Sequence, residues 1–168
     1  HSIARRQRQM CIRDRTSNVV TLQPITDATG HTTLEQIGII EGIAPNETIW
    51  SARFVEDRAY IVTFENMDPL WTIDLSNPAN PTIMGELKIP GVSTYIHPIS
   101  DNTLLTIGMG PADLETGEGL DWSNVRLSLF DVSDFTNPLE TTTLTISPVE
   151  DENNPCWSCL LYTSDAAD

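Results

Sequence analysis

Four carboxylates stand on one glycine-rich stretch, Met109–Asp121: Asp113, Glu115, Glu118 and Asp121. Oxygen donors at this density suit Ca²⁺, a hard cation that takes about six to eight of them. These four are therefore the candidate metal ligands, and Ca²⁺ is the one cofactor considered. The spacing departs from the EF-hand pattern, because Gly117 falls one place early and no closing Glu follows at the required distance. An acidic, solvated hairpin is the competing reading. Trp122 follows directly and is the candidate binding residue, since tryptophan anchors dominate contact energies where it reaches a partner. Trp50 and Trp71 could join it in a carbohydrate platform, but both fall within strand patterns where packing accounts for them.

The remaining chemistry-bearing residues are isolated. Cys156-Trp157-Ser158-Cys159 has redox or zinc half-site spacing, with Cys11 as a third thiol. A thioredoxin-type motif should open a helix after a strand, whereas this one follows Asn153-Asn154-Pro155. His97 lies in an apolar strand before Pro98, without a nucleophile or a second histidine at ligand spacing, and reads as a core or edge residue. His31 sits in a threonine-rich loop. Gly108-Met109-Gly110 lacks the third glycine and the helix of a dinucleotide site. Asn46-Glu47-Thr48 matches the glycosylation sequon, a pattern frequent by chance. No catalytic residue emerges, and no enzymatic activity is expected of this stretch.

The elements that would position these residues are strands. Runs of period two or short apolar runs, punctuated by turn residues, predict strands at 49–55, 59–65, 70–75, 82–89, 103–108, 125–132 and 139–146. The run at 59–64 is apolar on both faces. Leu70-Trp71-Thr72-Ile73-Asp74-Leu75-Ser76, ending in Asn80-Pro81, returns 57 residues later as Leu127-Ser128-Leu129-Phe130-Asp131-Val132-Ser133, ending in Asn137-Pro138. Val55–Ile61 resembles Ile99–Leu105, which aligns Asp57 with Asp101 at a spacing of 44; the loop Met109–Asn124 absorbs the difference. Asp at a strand end accepts nearby backbone N–H groups and fixes a turn, and Pro then stops the ladder. Asp74 and Asp131 are thus expected in equivalent turns. A four-stranded unit at this period is a propeller blade. The fold class is all-β: about two to three four-stranded antiparallel blades of an incomplete β-propeller.

Charge separates the ends from the body. Of 168 residues, 9 are Lys or Arg and 24 are Asp or Glu, a net charge of −15. Arg5, Arg6, Arg8, Arg13 and Arg15 crowd the leader, while residues 16–157 hold only Arg53, Arg58, Lys88 and Arg126. Met10–Arg15 and Cys159–Asp168 resemble translated sequencing-adaptor DNA found at the ends of metagenomic gene predictions. The expected organisation is therefore a non-native leader 1–15, a propeller fragment 16–157 and a non-native tail 158–168, with the natural gene continuing in both directions and Cys156 alone in the body. An acidic surface repels phosphate backbones, which sets nucleic acid aside as a partner. No apolar run approaches the ~18 residues of a membrane span. The acid excess fits either a salt-adapted protein or an ordinary acidic exported one.

Trp50–Phe64, Asp68–Ser76, Gly85–Gly91, Tyr95–Pro98 and Leu127–Ser133, in that order, resemble a bacterial and archaeal family of secreted C-terminal β-propeller domains distantly related to WD repeats. The resemblance covers roughly 33–146. It implies an extracytoplasmic protein, secreted or anchored at the cell surface, with no catalytic residues to carry over. The expected function is a non-enzymatic binding or scaffold module for an unidentified protein or surface ligand. The alternative is part of a propeller enzyme, hydrolase or quinoprotein-like, whose active site lies in blades outside this stretch.

Overall fold

The computed structural model describes residues 17–64 and 68–146. The leader 1–15, the tail 158–168 and all three cysteines lie outside the described residues. Ten strands follow one another: β1 Ser17–Thr26, β2 Thr32–Ile43, β3 Thr48–Val55, β4 Arg58–Phe64, β5 Asp68–Asp74, β6 Thr82–Ile89, β7 Val92–Ser100, β8 Thr103–Met109, β9 Val125–Asp131 and β10 Leu139–Ile146. They form three antiparallel sheets, β1-β2, β3-β4-β5-β6 and β7-β8-β9-β10. The described residues contain no helix long and apolar enough to cross a membrane. In each four-stranded sheet, spatial order equals chain order, which is the meander of a propeller blade.

All seven expected strands are present, and β1, β2 and β7 are added to them. The first two escape a periodicity reading because most of their side chains are exposed, so apolar alternation is weak. β7 escapes because register shifts at Ser93/Tyr95 and Pro98/Ser100 break its alternation. Pro98 is tolerated there because β7 is an edge strand.

Strand β4 shows how sequence builds the core. Its residues 59–63 are all buried, and successive side chains point to opposite faces. Ala59 and Ile61 pack with Val19, Ile43 and Ile73 against the β1–β2 hairpin. Tyr60 and Val62 pack with Leu70, Ile96, Leu104, Phe130 and Val132 between the two complete blades. Burying each such aliphatic side chain contributes about 1.5–3 kcal/mol. Buried Thr63 at the strand end donates to the Glu47 carboxylate at 2.6 Å and accepts from the Trp71 indole at 3.0 Å, so its hydroxyl is satisfied.

The repeated turns coincide. Asp74 accepts the Ser76 N–H at 2.8 Å and Asp131 accepts the Ser133 N–H at 2.9 Å. A second turn follows each, where Asn77 accepts the Ala79 N–H and Asp134 the Thr136 N–H. The first hairpin of each blade has a different register from the one its sequence suggests. Leu75 N–H bonds the Asp57 carbonyl, and Val132 N–H bonds the Asn102 carbonyl. Asp57 therefore stands where Asn102 does, a spacing of 45 rather than 44, because two-residue turns join both hairpins and set their pairing.

Neighbouring units are joined by a recurring contact. Thr72 pairs with Gly85 across β5 and β6. The Thr72 hydroxyl donates to the Phe135 carbonyl at 2.6 Å, and a Cβ on Gly85 would stand 2.7 Å from the Thr136 carbonyl oxygen. Likewise, Thr21 pairs with Gly38 across β1 and β2, the Thr21 hydroxyl donates to the Pro78 carbonyl, and a Cβ on Gly38 would overlap that same oxygen. Each blade's Asn-Pro loop thus lies on a Thr–Gly pair of the preceding sheet. The shared contact identifies β1–β2 as the outer half of a preceding blade, giving two full blades and part of a third.

Candidate functional site

Antiparallel alternation sorts the connections onto two ends. One end carries the two-residue turns 56–57 and 101–102 together with the Asn-Pro loops 75–81 and 132–138. The opposite end carries the connections 44–47 and 90–91 and the long loop 110–124 between β8 and β9.

The long loop is a closed structure. Asp121 N–H bonds the Gly110 carbonyl at 2.9 Å across its base, and Asp113 N–H bonds the Glu118 carbonyl at 3.1 Å within it. Pro111 is buried and Leu120 packs against the inter-blade core. Gly117 adopts φ of 78°, a left-handed conformation that glycine takes without strain, and its α-carbon faces Pro90. Leu114 and Trp122 are left exposed. The Trp122 ring lies 6.4 Å from Trp50, which meets Phe64 edge-on at 5.6 Å. The loop's tryptophan is thereby held against the blade while half its surface faces solvent.

The candidate metal ligands take up different tasks. Asp113 accepts the Glu115 N–H at 2.8 Å and the Thr116 N–H at 3.2 Å, and these bonds hold its carboxyl below the usual range. Asp121 accepts from the Ser123 hydroxyl, the Asn124 amide and the Ser123 N–H; the Ser123 hydroxyl contributes most to lowering its pKa. Glu115 and Glu118 are exposed. Among the described residues, no three His, Cys, Asp or Glu side chains converge as a metal-binding group. The geometry presents Asp113 and Asp121 as acceptors that shape their own loop.

The other sequence candidates are placed as follows. His97 is exposed on edge strand β7, stacked on Tyr95 with ring centroids 6.2 Å apart. His31 donates its N–H to Asp27 Oδ1 at 3.1 Å in the β1–β2 turn. A Cβ on Gly108 would overlap the Val92 carbonyl, so close strand pairing accounts for that glycine. Asn46 is exposed, with φ of 74°.

A feature that sequence reading missed lies at the end opposite the long loop. The turns 56–57 and 101–102 of adjacent blades flank an open cleft of about 520 Å³. Tyr60 lines it with only 2% of its surface exposed. Burial pushes the Tyr60 hydroxyl above its ordinary pKa, and the neighbouring Arg58 guanidinium opposes that shift. Arg58 is itself fixed: it donates to the Asp101 carbonyl at 3.0 Å and lies 5.1 Å from the centre of the Phe135 ring. The turn residues Glu56-Asp57 and Ser100-Asp101 are legible in the sequence as turns. Their approach to one another depends on blade packing.

A family model described as a beta propeller domain matches residues 3–164. An uncharacterized protein of Archaeoglobus fulgidus is 49% identical over 107 residues, and an uncharacterized protein of Methanocaldococcus jannaschii is 45% identical over the same length. Each match covers 64% of this chain and 16% of the relative, so the chain spans only a small part of the curated relatives it matches. No solved structure matches. The repeated blades and the span of the family match together show that this chain belongs to the beta propeller domain family.

Proposed function

We propose that the chain is a binding module of an extracytoplasmic propeller protein and that it recognises a protein or surface ligand through the 110–124 end. One observation carries the reading. The connection between the second and third strands is three residues in the first full blade and fifteen in the second, and the longer one holds Trp122 and Leu114 out to solvent. Rigid strands with one elaborated loop suit recognition, since the loop varies in sequence while the framework fixes its position. Exposed tryptophan supplies the apolar anchor, and the surrounding carboxylates favour a partner with basic groups at the rim. The resemblance to secreted propeller domains is what supports the extracytoplasmic setting in this reading.

The test is a loop exchange in the full-length parent, replacing 110–124 by the three-residue connection 65–67 of the first blade. Binding to the envelope fraction of the parent's own host should be lost in the exchange variant and weakened in Trp122→Ala. Unchanged binding in both would remove this loop from the mechanism. Turnover by the parent that a single blade-face substitution abolishes would replace the binding module by an enzyme.

A further inference from the structure

We infer that Asn46 is an N-glycosylation site, on the same end of the sheets as the long loop. This inference rests on the extracytoplasmic setting proposed above, because an exported chain is the one that meets a lipid-linked sugar donor. In the 168 residues, Asn46-Glu47-Thr48 is the only Asn-x-Ser or Asn-x-Thr whose centre is not proline. The fold places its three residues as the modification requires. Asn46 and Thr48, the two side chains that a transferring enzyme reads, are both exposed, whereas Glu47 between them is half-buried. The Glu47 carboxylate accepts the hydroxyl of fully buried Thr63 at 2.6 Å, and that hydroxyl accepts the Trp71 indole N–H at 3.0 Å. The middle residue is thus pinned inward and the outer two are left to solvent.

Backbone geometry points the same way. The Glu47 N–H bonds the Ala44 carbonyl at 3.1 Å and closes a turn with Pro45 and Asn46 at its centre, where Asn46 adopts φ of 74°. Proline first and an asparagine of positive φ second are the signature of a type II turn, so the acceptor amide stands at the tip of a turn that its own sequence fixes. Asn46 belongs to neither core cluster, and a sugar added there extends into water without disturbing them. The glycan would border the recognition end, since Trp50 on β3 meets Trp122 with ring centroids 6.4 Å apart. Asn80-Pro81-Thr82 supplies the contrast: its outer residues are exposed and its centre is buried, but the fixed φ of proline keeps the chain from bending the hydroxyl toward the amide. The transfer involves no change of oxidation state. Asn46 Nδ2 forms a bond to the anomeric carbon of a sugar carried on a lipid phosphate. The bond from that carbon to the phosphate oxygen breaks, its electron pair leaves with the lipid phosphate, and the amide gives one proton to a base of the transferring enzyme.

The experiment purifies the full-length parent from its own host and follows the tryptic peptide that ends at Arg53 by mass spectrometry, with the cell fractions assayed in parallel. The exported protein should carry a sugar mass increment on Asn46 and none on Asn80. Asn46→Gln and Thr48→Ala should each abolish the increment. Thr48→Ala keeps Asn46 and its turn, so the test stands even where Asn46→Gln fails to fold. An unmodified Asn46 in the exported parent would overturn the site, as would an increment that survives Thr48→Ala. Recovery of the parent from the cytoplasm alone would overturn the site together with the extracytoplasmic setting. The loop exchange should leave the increment unchanged, so loss of the recognition reading at 110–124 and loss of this site are told apart.

Discussion

Replacing Gly85 by alanine should destabilise the protein by driving two blades apart. The added Cβ would lie 2.7 Å from the Thr136 carbonyl oxygen and 3.0 Å from that of Phe135, against ordinary contact beginning at 3.4 Å. Both neighbours are backbone atoms, so the Phe135–Thr136 segment must retreat by about 0.7 Å to restore normal contact. That retreat stretches the 2.6 Å bond from Thr72 to the Phe135 carbonyl, and Thr72 is fully buried. It also loosens Phe135 from Tyr60 and Arg58. Overpacking of this kind costs about 1–3 kcal/mol, and weakening the hydrogen bond about 0.5–1.5 kcal/mol more. The Gly-to-Ala gain in the unfolded chain returns about 0.4–1 kcal/mol. The expected net loss is about 0.5–4 kcal/mol, centred near 2, read as a lower urea midpoint by tryptophan fluorescence. Gly38→Ala, at the equivalent contact, should behave alike. Gly110→Ala should stay within about 0.5 kcal/mol, because nothing stands within 4 Å of its Cβ. Thr72→Val should be destabilising alone and non-additive with Gly85→Ala, since both act on one loop. A Gly85→Ala midpoint no different from that of Gly110→Ala would refute the argument that this glycine exists to admit the next blade's loop.

Acid sensitivity should trace to the repeated turns. Backbone and side-chain bonds from Ser76 and Ser133 lower the pKa of Asp74 and Asp131 below the ordinary 3.8, so their contribution is present above that value and is lost as pH falls below it through their lowered pKa values. Asp74→Asn with Asp131→Asn should therefore flatten the fall in urea midpoint below about pH 4; an unchanged acid limb would count against it. Arg126 reaches both Glu140 oxygens at 3.0 and 3.1 Å in a half-buried pair. Glu140→Ala should cost about 1–2 kcal/mol by denaturation, between the exposed and buried extremes, and a neutral result would show that solvent screens the pair. Trp122→Ala should change stability by less than about 1 kcal/mol while altering the fluorescence of its neighbour Trp50; global unfolding would mean the loop is part of the core.

The sequence by itself determined seven of the ten described strands and the repeat unit. The short run at 59–64, apolar on both faces, and the Asp-x-Ser turns at Asp74 and Asp131 are local signals, written in consecutive residues and read through backbone geometry alone. Trp122 and the long loop were legible for the same reason, as an insertion between two matching stretches. Only the tertiary structure decided what those residues touch. The one-residue register of the first hairpins came from turn pairing, and the use of Gly38 and Gly85 came from loops about 40 to 50 residues away in the chain. The carboxylates at 113–121, close in sequence, turned to their own backbone rather than toward a common point. Glu56, Tyr60 and Asp101 belong to different strands and turns, yet they share one cleft. Proximity along the chain sets turns and alternation, whereas a site between blades exists only once packing has brought distant strands side by side.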